Sequence, residues 1–183
     1  MERCLTQRHG DAERIGPDVE IRGLAARDVD AIAAAFASWP KPRSQFEWYM
    51  TEQDAGRRVI LVAWCEAQLC GYATVVWHPD YAPLCENGIP EIQDLNVLQP
   101  FRRRGIASRL LDAAEEIVAS RSAEVGIGVG LYADYGAAQR LYVRRGYVPD
   151  GRGASHRGRF VLGGEPVVAD DDLVIHLTKR LRD

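Results

Sequence analysis

The sequence predicts a single α/β (α+β) domain on one mixed sheet of about six to seven strands, mostly antiparallel, with helices on both faces. Its 183 residues, of which 46% are hydrophobic and 27% charged, are typical of one globular domain. The order of elements agrees: strand, helices and a hairpin come first, and from Glu91 a strand-helix-strand-helix series follows. A chain of this size buries roughly 70% of its unfolded surface, so a core needs no metal or disulfide.

The first half begins with residues 1–18, which mix glycine, proline and charge without periodicity and predict a flexible tail before a domain at 19–183. Asp28 is the predicted N-cap of the first helix, because its carboxylate can accept an unpaired backbone N–H. β-Branched and aromatic residues on either side of a short polar turn predict an antiparallel hairpin. The predicted elements are strands at Val19–Leu24, Val59–Cys65 and Leu69–Trp77, helices at Asp28–Ala37 and Gln45–Gln53, and a loop at His78–Pro90.

The second half contains the clearest helix, in which Ile106, Leu110 and Ala114 recur at four-residue spacing. This pattern predicts a helix lying on a sheet. The segment 151–169 is rich in glycine and arginine and has no assigned element. The predicted elements are strands at Glu91–Leu98, Val125–Tyr132 and Leu173–Thr178, a strand beginning at Tyr147, and helices at Ile106–Ser120 and Gly136–Arg145.

Charge and composition exclude several classes of function. The net charge of −3 argues against sequence-independent nucleic-acid binding, which needs a basic surface. The longest apolar runs, Ala31–Ala37 and Val59–Cys65, are far shorter than a membrane span. The charged N-terminal segment lacks the apolar stretch of a secretion signal, so we expect a cytoplasmic protein. The cysteines lack paired metal spacing and are expected to be buried free thiols: Cys4, Cys65, Cys70 and Cys85.

The most informative segment runs from the end of a strand through a basic turn into a helix. It reads Leu95-Asn96-Val97 and then Arg102-Arg103-Arg104-Gly105-Ile106-Ala107-Ser108. The small residues Gly105 and Ala107 allow close backbone approach to a phosphate, and the first helical N–H groups and the helix dipole favour an anion there. Taken alone, the three arginines are explained as a solvated cap on a loop, and only their context favours an anion site.

This segment resembles the signature of the Gcn5-related N-acetyltransferase (GNAT) family, in which Arg/Gln-x-x-Gly-x-Gly/Ala opens a helix after a strand. Arg102–Ala107 matches it position by position. Downstream, Ala138–Tyr147 is similar to the second motif of the family, in which a helix with Leu-Tyr precedes glycine and an aromatic residue. The resemblance covers residues 91–148.

The resemblance implies that acetyl-CoA binds as co-substrate, its pantetheine arm pairing with the strand at Leu95–Val97 and its pyrophosphate held by backbone N–H groups of the turn. One departure is Tyr135, where the family commonly has asparagine. No metal is implied. The cofactor-binding residues implied are Leu95, Asn96, Val97, Arg102, Arg103, Arg104, Gly105, Ile106, Ala107, Ser108, Tyr135 and Ala138.

The resemblance also implies direct attack of an amine on the thioester, with a general acid and a base. Tyr142 matches the family's tyrosine donor, and the alternative is a helix tyrosine that only packs. Glu91 and Asp94 are both candidates for the base. In a regular strand they lie on opposite faces, so only one faces the site, although the family often distorts this strand. The N–H of Val97 is the expected contact of the thioester oxygen.

These features predict an acetyl-CoA-dependent N-acetyltransferase acting on a primary amine, a small molecule rather than a protein. The alternative is a non-catalytic acyl-CoA-binding sensor or interaction module of the same fold. Acidic and aromatic residues flanking the site suggest a cationic acceptor, although surface acids and core tryptophans also explain them. The alternating Gly126, Gly128 and Gly130 leave one strand face bare, either for a ligand or for close packing. A homodimer is common in the family, and the sequence leaves the oligomeric state open.

Overall fold

The computed structural model describes residues 19–39 and 41–182, and the predicted tail at 1–18, with Cys4, lies outside them. A 3-10 turn, Ala26–Asp28, leads into the first helix. The helices are α1 (Val29–Ala35), α2 (Arg43–Asp54), α3 (Ala82–Glu86), α4 (Ile106–Ala119) and α5 (Gly136–Arg144). The strands are β1 (Val19–Gly23), β2 (Arg58–Cys65), β3 (Gln68–Val76), β4 (Glu91–Val97), β5 (Glu124–Gly130), β6 (Val148–His156), β7 (Arg159–Phe160) and β8 (Leu173–Arg180).

All strands join one sheet in the order β1-β2-β3-β4-β5-β8-β6-β7. Every neighbouring pair is antiparallel except β4 and β5. The predicted mixed, mostly antiparallel sheet is therefore confirmed. The parallel pair forms where α4 carries the chain over the sheet, which is the connection that parallel neighbours require.

The sheet has 8 strands rather than six to seven, because the segment 151–169 contributes to it. β6 extends to His156, and the chain turns back at once so that His156 pairs with Arg159. The two loop residues, Arg157 and Gly158, both have positive φ, at 53° and 75°. Two positive φ values match the twist of a tight hairpin, and the glycine-rich composition had concealed this turn.

Helices cover both faces of the sheet, as predicted. On the face that we call the α4 face, α4 buries Ile106, Leu110, Leu111, Ala114 and Val118 in a cluster with residues of β2 to β5 and β8. On the opposite face, the α1–α2 face, Ile32, Phe36 and Phe46 pack against Tyr72 in a second cluster. The sheet thus separates two cores, and side-chain alternation along each strand decides which core a residue joins.

The predicted loop at His78–Pro90 contains α3, whose first turn holds Pro83, a favourable position for proline. The helix buries Leu84 and leaves Cys85 exposed. The expectation of a buried thiol is therefore wrong for Cys85, because the short helix turns it to solvent. Cys65 and Cys70 are buried and free, as expected.

Asp28 stands at the N-cap of α1 but makes no side-chain cap to that helix. Its carboxylate instead accepts the N–H of Ala25, at the start of the preceding 3-10 turn, at 2.9 Å. It also accepts two hydrogen bonds from the Arg22 guanidinium. The carboxylate of Asp28 thus satisfies an unpaired N–H, but that of the 3-10 turn and not one of α1. The sequence pattern did not reveal this turn.

Among the described residues, none of the helices combines the length and apolarity that a membrane crossing requires.

Candidate active site

β4 and β5 separate after a short parallel contact. Only Glu91 with Gly126 and Ile92 with Ile127 are paired, and beyond Ile92 the side of β4 that faces β5 has no strand partner among the described residues. β3 continues to pair with the other side as far as Val97. The separation creates an opening with an exposed strand edge, which is a template for main-chain pairing with an extended ligand.

The hydrogen-bond pattern gives the direction of the backbone groups at this edge. The N–H of Leu98 donates to the carbonyl of Cys70 on the β3 side at 3.0 Å. Because the groups of successive strand residues point to alternate sides, the N–H of Val97 points away from β3 and into the opening. Leu95, Asn96 and Val97, the strand residues expected to bind cofactor, are all half-buried at this edge.

The basic turn ends the opening at the N-terminus of α4. Arg103 and Gly105 both have positive φ, 65° and 79°, so the chain bends sharply before the helix. No side chain caps α4. Within the described residues, none of the backbone N–H groups of Arg103–Ser108 donates to a protein acceptor. A row of free N–H groups at a helix N-terminus is an anion-binding arrangement.

The three arginines of the turn are exposed and leave the backbone of the turn accessible. Nε of Arg102 donates to the carbonyl of Val97 at 3.0 Å, which ties the turn to the end of β4. The guanidinium of Arg104 lies 5.5 Å from the centre of the Phe101 ring. The arginines thus add positive charge around the free N–H groups.

A β-bulge in β4 decides the positions of the two candidate bases. Tyr72 pairs with Asn96 and Thr74 with Gln93, so β4 has one extra residue here, and Asp94 has a φ of 52°. The bulge changes the side-chain alternation. Glu91 and Asp94 therefore both lie on the α1–α2 face, and the expectation that only one of them faces this side is wrong.

The two carboxylates differ in their partners. Asp94 Oδ1 accepts a hydrogen bond from Lys41 Nζ at 2.7 Å, and Oδ2 accepts one from the hydroxyl of Tyr49. Glu91 is 4% exposed, and its Oε2 accepts a hydrogen bond from Gln93 Nε2 at 2.7 Å. Its Oε1 has a longer contact, 3.5 Å from His176 Nε2, and accepts no shorter hydrogen bond within the described residues. Glu91 thus keeps one carboxylate oxygen that is only weakly engaged.

Tyr142 on α5 is 5% exposed and belongs to the same apolar cluster as Ile106, and Val97 packs against that cluster. Burial raises the pKa of the Tyr142 phenol above its usual value. Its hydroxyl makes no hydrogen bond to the described residues and is not one of the enclosed atoms. A protonated phenol with a free hydroxyl therefore lies in the cluster that also contacts the opening and the start of α4.

Residues 28–147 match the family model described as the acetyltransferase (GNAT) family, over more than half of the chain. The chain belongs to the GNAT family of acetyltransferases. No curated protein sequence matches it. Solved structures described as acetyltransferases share the fold of this chain.

Three of these structures illustrate the likeness. An N-acetyltransferase from Staphylococcus aureus has a TM-score of 0.66 and 18% identity, covering 90% of this chain and 99% of its own. Arabidopsis thaliana NAA60, solved in complex with acetyl-CoA, has a TM-score of 0.63 and 17% identity, covering 89% and 98%. The Salmonella typhimurium acetyl transferase that modifies the N-terminal serine of ribosomal protein L7/L12 has a TM-score of 0.65 and 16% identity, covering 88% and 94%.

Tyr135, which replaces the asparagine common in the GNAT family, is held by its neighbours. Its hydroxyl donates to Asp171 Oδ1 at 3.0 Å, and its ring lies edge-on to Tyr132 with 5.1 Å between centres. The ring covers Gly130, where a Cβ would overlap with it. Burial, followed by the bond to Asp171, raises the pKa of Tyr135. Tyr135 therefore ties the start of α5 to the segment before β8. Ala138, one turn into α5, packs against the α4-face cluster.

The alternating glycines of β5 serve close packing in this GNAT domain. Leu84 of α3 covers Gly126, and Tyr135 covers Gly130. At Gly128, a Cβ would lie 3.4 Å from Glu91 Oε1 and 3.5 Å from His176 Nε2. Protein side chains thus fill two positions of the bare face, and the third makes room for the buried Glu91.

Most of the acidic and aromatic residues that suggested a cationic acceptor have partners within the chain. Asp170 pairs with His156 at 2.9 Å, and Asp172 with Arg157 at 3.2 Å. Arg121 lies over the Trp77 ring at 4.3 Å, and Tyr81 stacks on an imidazole. The remaining pairings are Asp171 with Tyr132 and Tyr135, Trp39 with Phe36, and Trp48 with Arg58. These contacts favour the structural explanation of the pattern.

Several polar residues around Glu91 were not predicted from the sequence. Gln93, one alternation further along β4, contacts Glu91 directly, and this spacing is a signal that could have identified it. His176 and Arg58 come from strands distant in sequence, so no local pattern indicates them. Among the described residues, no three His, Cys, Asp or Glu side chains are arranged to bind a metal ion.

Proposed function

We propose that this GNAT domain transfers the acetyl group of acetyl-CoA directly to a primary amine, in the cytoplasm. The observation that carries this proposal is the continuity of the free edge of β4 with the free N–H groups of Arg103–Ser108. An extended arm that ends in a pyrophosphate matches a strand edge followed by an anion site. Acetyl-CoA supplies the activated acetyl thioester when bound.

The residues proposed to hold acetyl-CoA are divided by chemistry. Leu95–Val97 offer main-chain groups to the pantetheine arm, and Arg102–Ser108 offer N–H groups and positive charge to the phosphates. Ala138 on α5 and Tyr135 just before it are proposed to border the same side of the opening. The N–H of Val97 is proposed to donate to the thioester oxygen, because it points into the opening and a donor there stabilises developing negative charge.

Tyr142 is proposed as the general acid that protonates the leaving thiolate. Support comes from its free hydroxyl in a buried, apolar setting, where the raised pKa keeps the phenol protonated at neutral pH. A proton donor assists this step, because protonation of the departing sulfur makes the leaving group a thiol in place of a thiolate.

Glu91, rather than Asp94, is proposed as the base that removes the proton from the amine. The two oxygens of Asp94 are engaged by Lys41 and Tyr49, whereas Oε1 of Glu91 has only a 3.5 Å contact with His176 Nε2. Both oxygens of Asp94 thus already accept a hydrogen bond, which leaves this carboxylate less available to an amine. Asp94 is therefore proposed to hold α2 and Lys41 against β4.

The acceptor is proposed to be a small molecule with a single amine. Glu91 offers one weakly engaged carboxylate oxygen, while the acids of the 170–172 segment are paired within the chain. A polyamine would require several free carboxylates. Beside this site, a hollow of about 480 Å³ at the junction of α1 and α2 is lined by Trp39 and Lys41, among others. Lys41 also bonds Asp94, so the hollow lies on the α1–α2 face, the face of the sheet that carries Glu91 and Asp94.

Peptide N-termini are the second acceptor class. The Salmonella typhimurium acetyl transferase acts on the N-terminal serine of a ribosomal protein, and the Brucella melitensis neighbour is a ribosomal-protein-alanine N-acetyltransferase. Their identities to this chain, 16% and 18%, support the fold and leave the acceptor to experiment.

The test is calorimetric binding of acetyl-CoA, CoA and desphospho-CoA, followed by thiol release against monoamines, polyamines, aminoglycosides and N-terminal peptides. Micromolar binding of acetyl-CoA with release for monoamines alone is the expected result. Thiol release with peptides alone would contradict the small-molecule acceptor and identify peptide N-termini as the acceptor class. Binding without release for any amine would support a non-catalytic acyl-CoA sensor, and no binding would contradict the assignment of the Arg102–Ser108 turn.

A further inference from the structure

Glu91 is contacted by two polar side chains, one at each oxygen: the half-buried Gln93 and the buried His176. Gln93 donates to Oε2 at 2.7 Å, and His176 Nε2 lies 3.5 Å from Oε1. His176 is 8% exposed and comes from β8, which approaches Glu91 across the glycine at position 128 of β5. Three strands are therefore needed to bring the carboxylate and the imidazole together.

The imidazole of His176 is itself held in place. The ring of Tyr81 stacks on it with 3.5 Å between centres and 5° between planes. The hydroxyl of Tyr81 donates to Asp150 Oδ2 at 2.6 Å, and Asp150 Oδ1 accepts the N–H of Arg152 at 3.0 Å. Residues 150–153 form the irregular part of β6, with positive φ at Gly151 and Gly153. The bulge thus aims Asp150 at Tyr81.

We propose that His176 is a positioning residue for Glu91, and that Tyr81 and Asp150 fix the orientation of its ring. The inference rests on the proposed function, because it assumes that Glu91 is the base. With a proton on Nε2, His176 directs an N–H dipole at Oε1 and favours one carboxylate rotamer. At 3.5 Å this contact is longer than a strong hydrogen bond, so Oε1 keeps a lone pair for the proton of the amine.

A purely structural function would need no polar ring at this position. Burying an imidazole is unfavourable unless it is compensated, and an aromatic hydrocarbon would stack on Tyr81 equally well. On the other side, Arg58 contacts Gln93 Oε1 at 3.4 Å, which orients the amide that donates to Glu91. Polar groups thus constrain Glu91 from both sides, as expected where a reacting group must be held in one geometry.

The experiment compares His176→Phe and His176→Gln with His156→Gln in the full chain. Phenylalanine keeps the stack on Tyr81 and removes the N–H, whereas glutamine keeps a donor near the position of Nε2. We expect His176→Phe to lower kcat about 10- to 100-fold with an unchanged KM for acetyl-CoA, and His176→Gln to recover most of that loss. His156 pairs with Asp170 away from Glu91, and His156→Gln should keep the wild-type kcat.

Wild-type kcat in His176→Phe, or an equal loss in His156→Gln, would overturn the proposal. Tyr81→Phe gives a second test should His176→Phe not fold, since it keeps the stack and removes only the bond to Asp150. It should lower kcat about two- to fivefold, without changing the KM for acetyl-CoA. An unchanged kcat in Tyr81→Phe would contradict the proposal that Asp150 and Tyr81 fix the orientation of the His176 ring.

A measurement without turnover separates this inference from the proposed function. The ¹⁵N chemical shifts of the His176 imidazole, assigned with His176→Gln, should change in Glu91→Gln, whereas those of His156 should not. An unchanged His176 spectrum would overturn the inference even in an active enzyme. If acetyl-CoA binds and no amine is acetylated while the His176 shifts do respond, the proposed function fails and the pairing of His176 with Glu91 stands.

Discussion

Glu91 and Asp94 share one face of β4 although they are three residues apart. The bulge at Asp94, with its φ of 52°, adds the residue that reverses the alternation. The two carboxylates have different surroundings. Asp94 is held at both oxygens by a lysine and a tyrosine, whereas Glu91 has one hydrogen-bonded oxygen and one with only a 3.5 Å contact to His176. This difference leads to the first prediction.

Glu91→Gln should lower kcat about 100-fold, because it removes the proposed proton acceptor. Asp94→Asn should instead lower the free energy of unfolding by about 1–2 kcal/mol, because it weakens the charged bond to Lys41. Steady-state kinetics and urea unfolding of both variants provide the measurement. The assignment is reversed if Asp94→Asn shows the larger loss of kcat.

Tyr142→Phe should reduce kcat about 100-fold and leave the Kd of acetyl-CoA unchanged, since it removes the proposed acid and keeps the packing. Because burial raises the pKa of Tyr142, the phenol keeps its proton as the pH rises through the neutral range. Deprotonation of Tyr142 should therefore cause no loss of kcat below about pH 10, the usual tyrosine pKa. Calorimetry and a pH profile measure the two quantities, and an equal loss of turnover and affinity argues against Tyr142 as acid.

Gly105→Ala should weaken acetyl-CoA binding about tenfold, an effect of about 1.4 kcal/mol. A side chain at the φ of 79° strains the turn and reorients the N–H groups proposed to hold phosphate. Gly56 provides the matched control, because it has a φ of 72° and equally open space around a built Cβ. Gly56→Ala should lower stability similarly and leave the Kd unchanged. Equal Kd values in the two variants would contradict the anion site.

Asp28→Asn should lower the free energy of unfolding by about 1–2 kcal/mol at pH 7. The bonds from Arg22, at 2.6 and 2.9 Å, hold the pKa of Asp28 below its usual range. A depressed pKa adds stability above the unfolded value, about pH 4, and this stability is lost as the pH falls through the folded pKa. The difference between wild type and variant in urea unfolding should therefore shrink toward pH 2. Asp54→Asn, at an exposed position, serves as the control for the loss of one carboxylate.

Much of the fold was predictable because local patterns are strong in this chain. The apolar spacing of α4 and the β-branched runs of β2 and β3 placed these elements within a residue or two. Short elements were missed. α3 lies in a segment without periodicity, and β7 is a two-residue strand that forms because it pairs with β6 across a tight turn.

The sequence by itself determined the order of the main elements, the basic turn before α4 and the place of Tyr142 on a helix, because each depends on residues close together in the chain. The tertiary structure decided which carboxylate is held at both oxygens, what covers the glycines of β5 and which imidazole contacts Glu91. His176 lies far from Glu91 in sequence, and the bulge at Asp94 shows only in the pairing of β3 with β4. Contacts between distant strands depend on strand order and register, which no local pattern of side chains encodes.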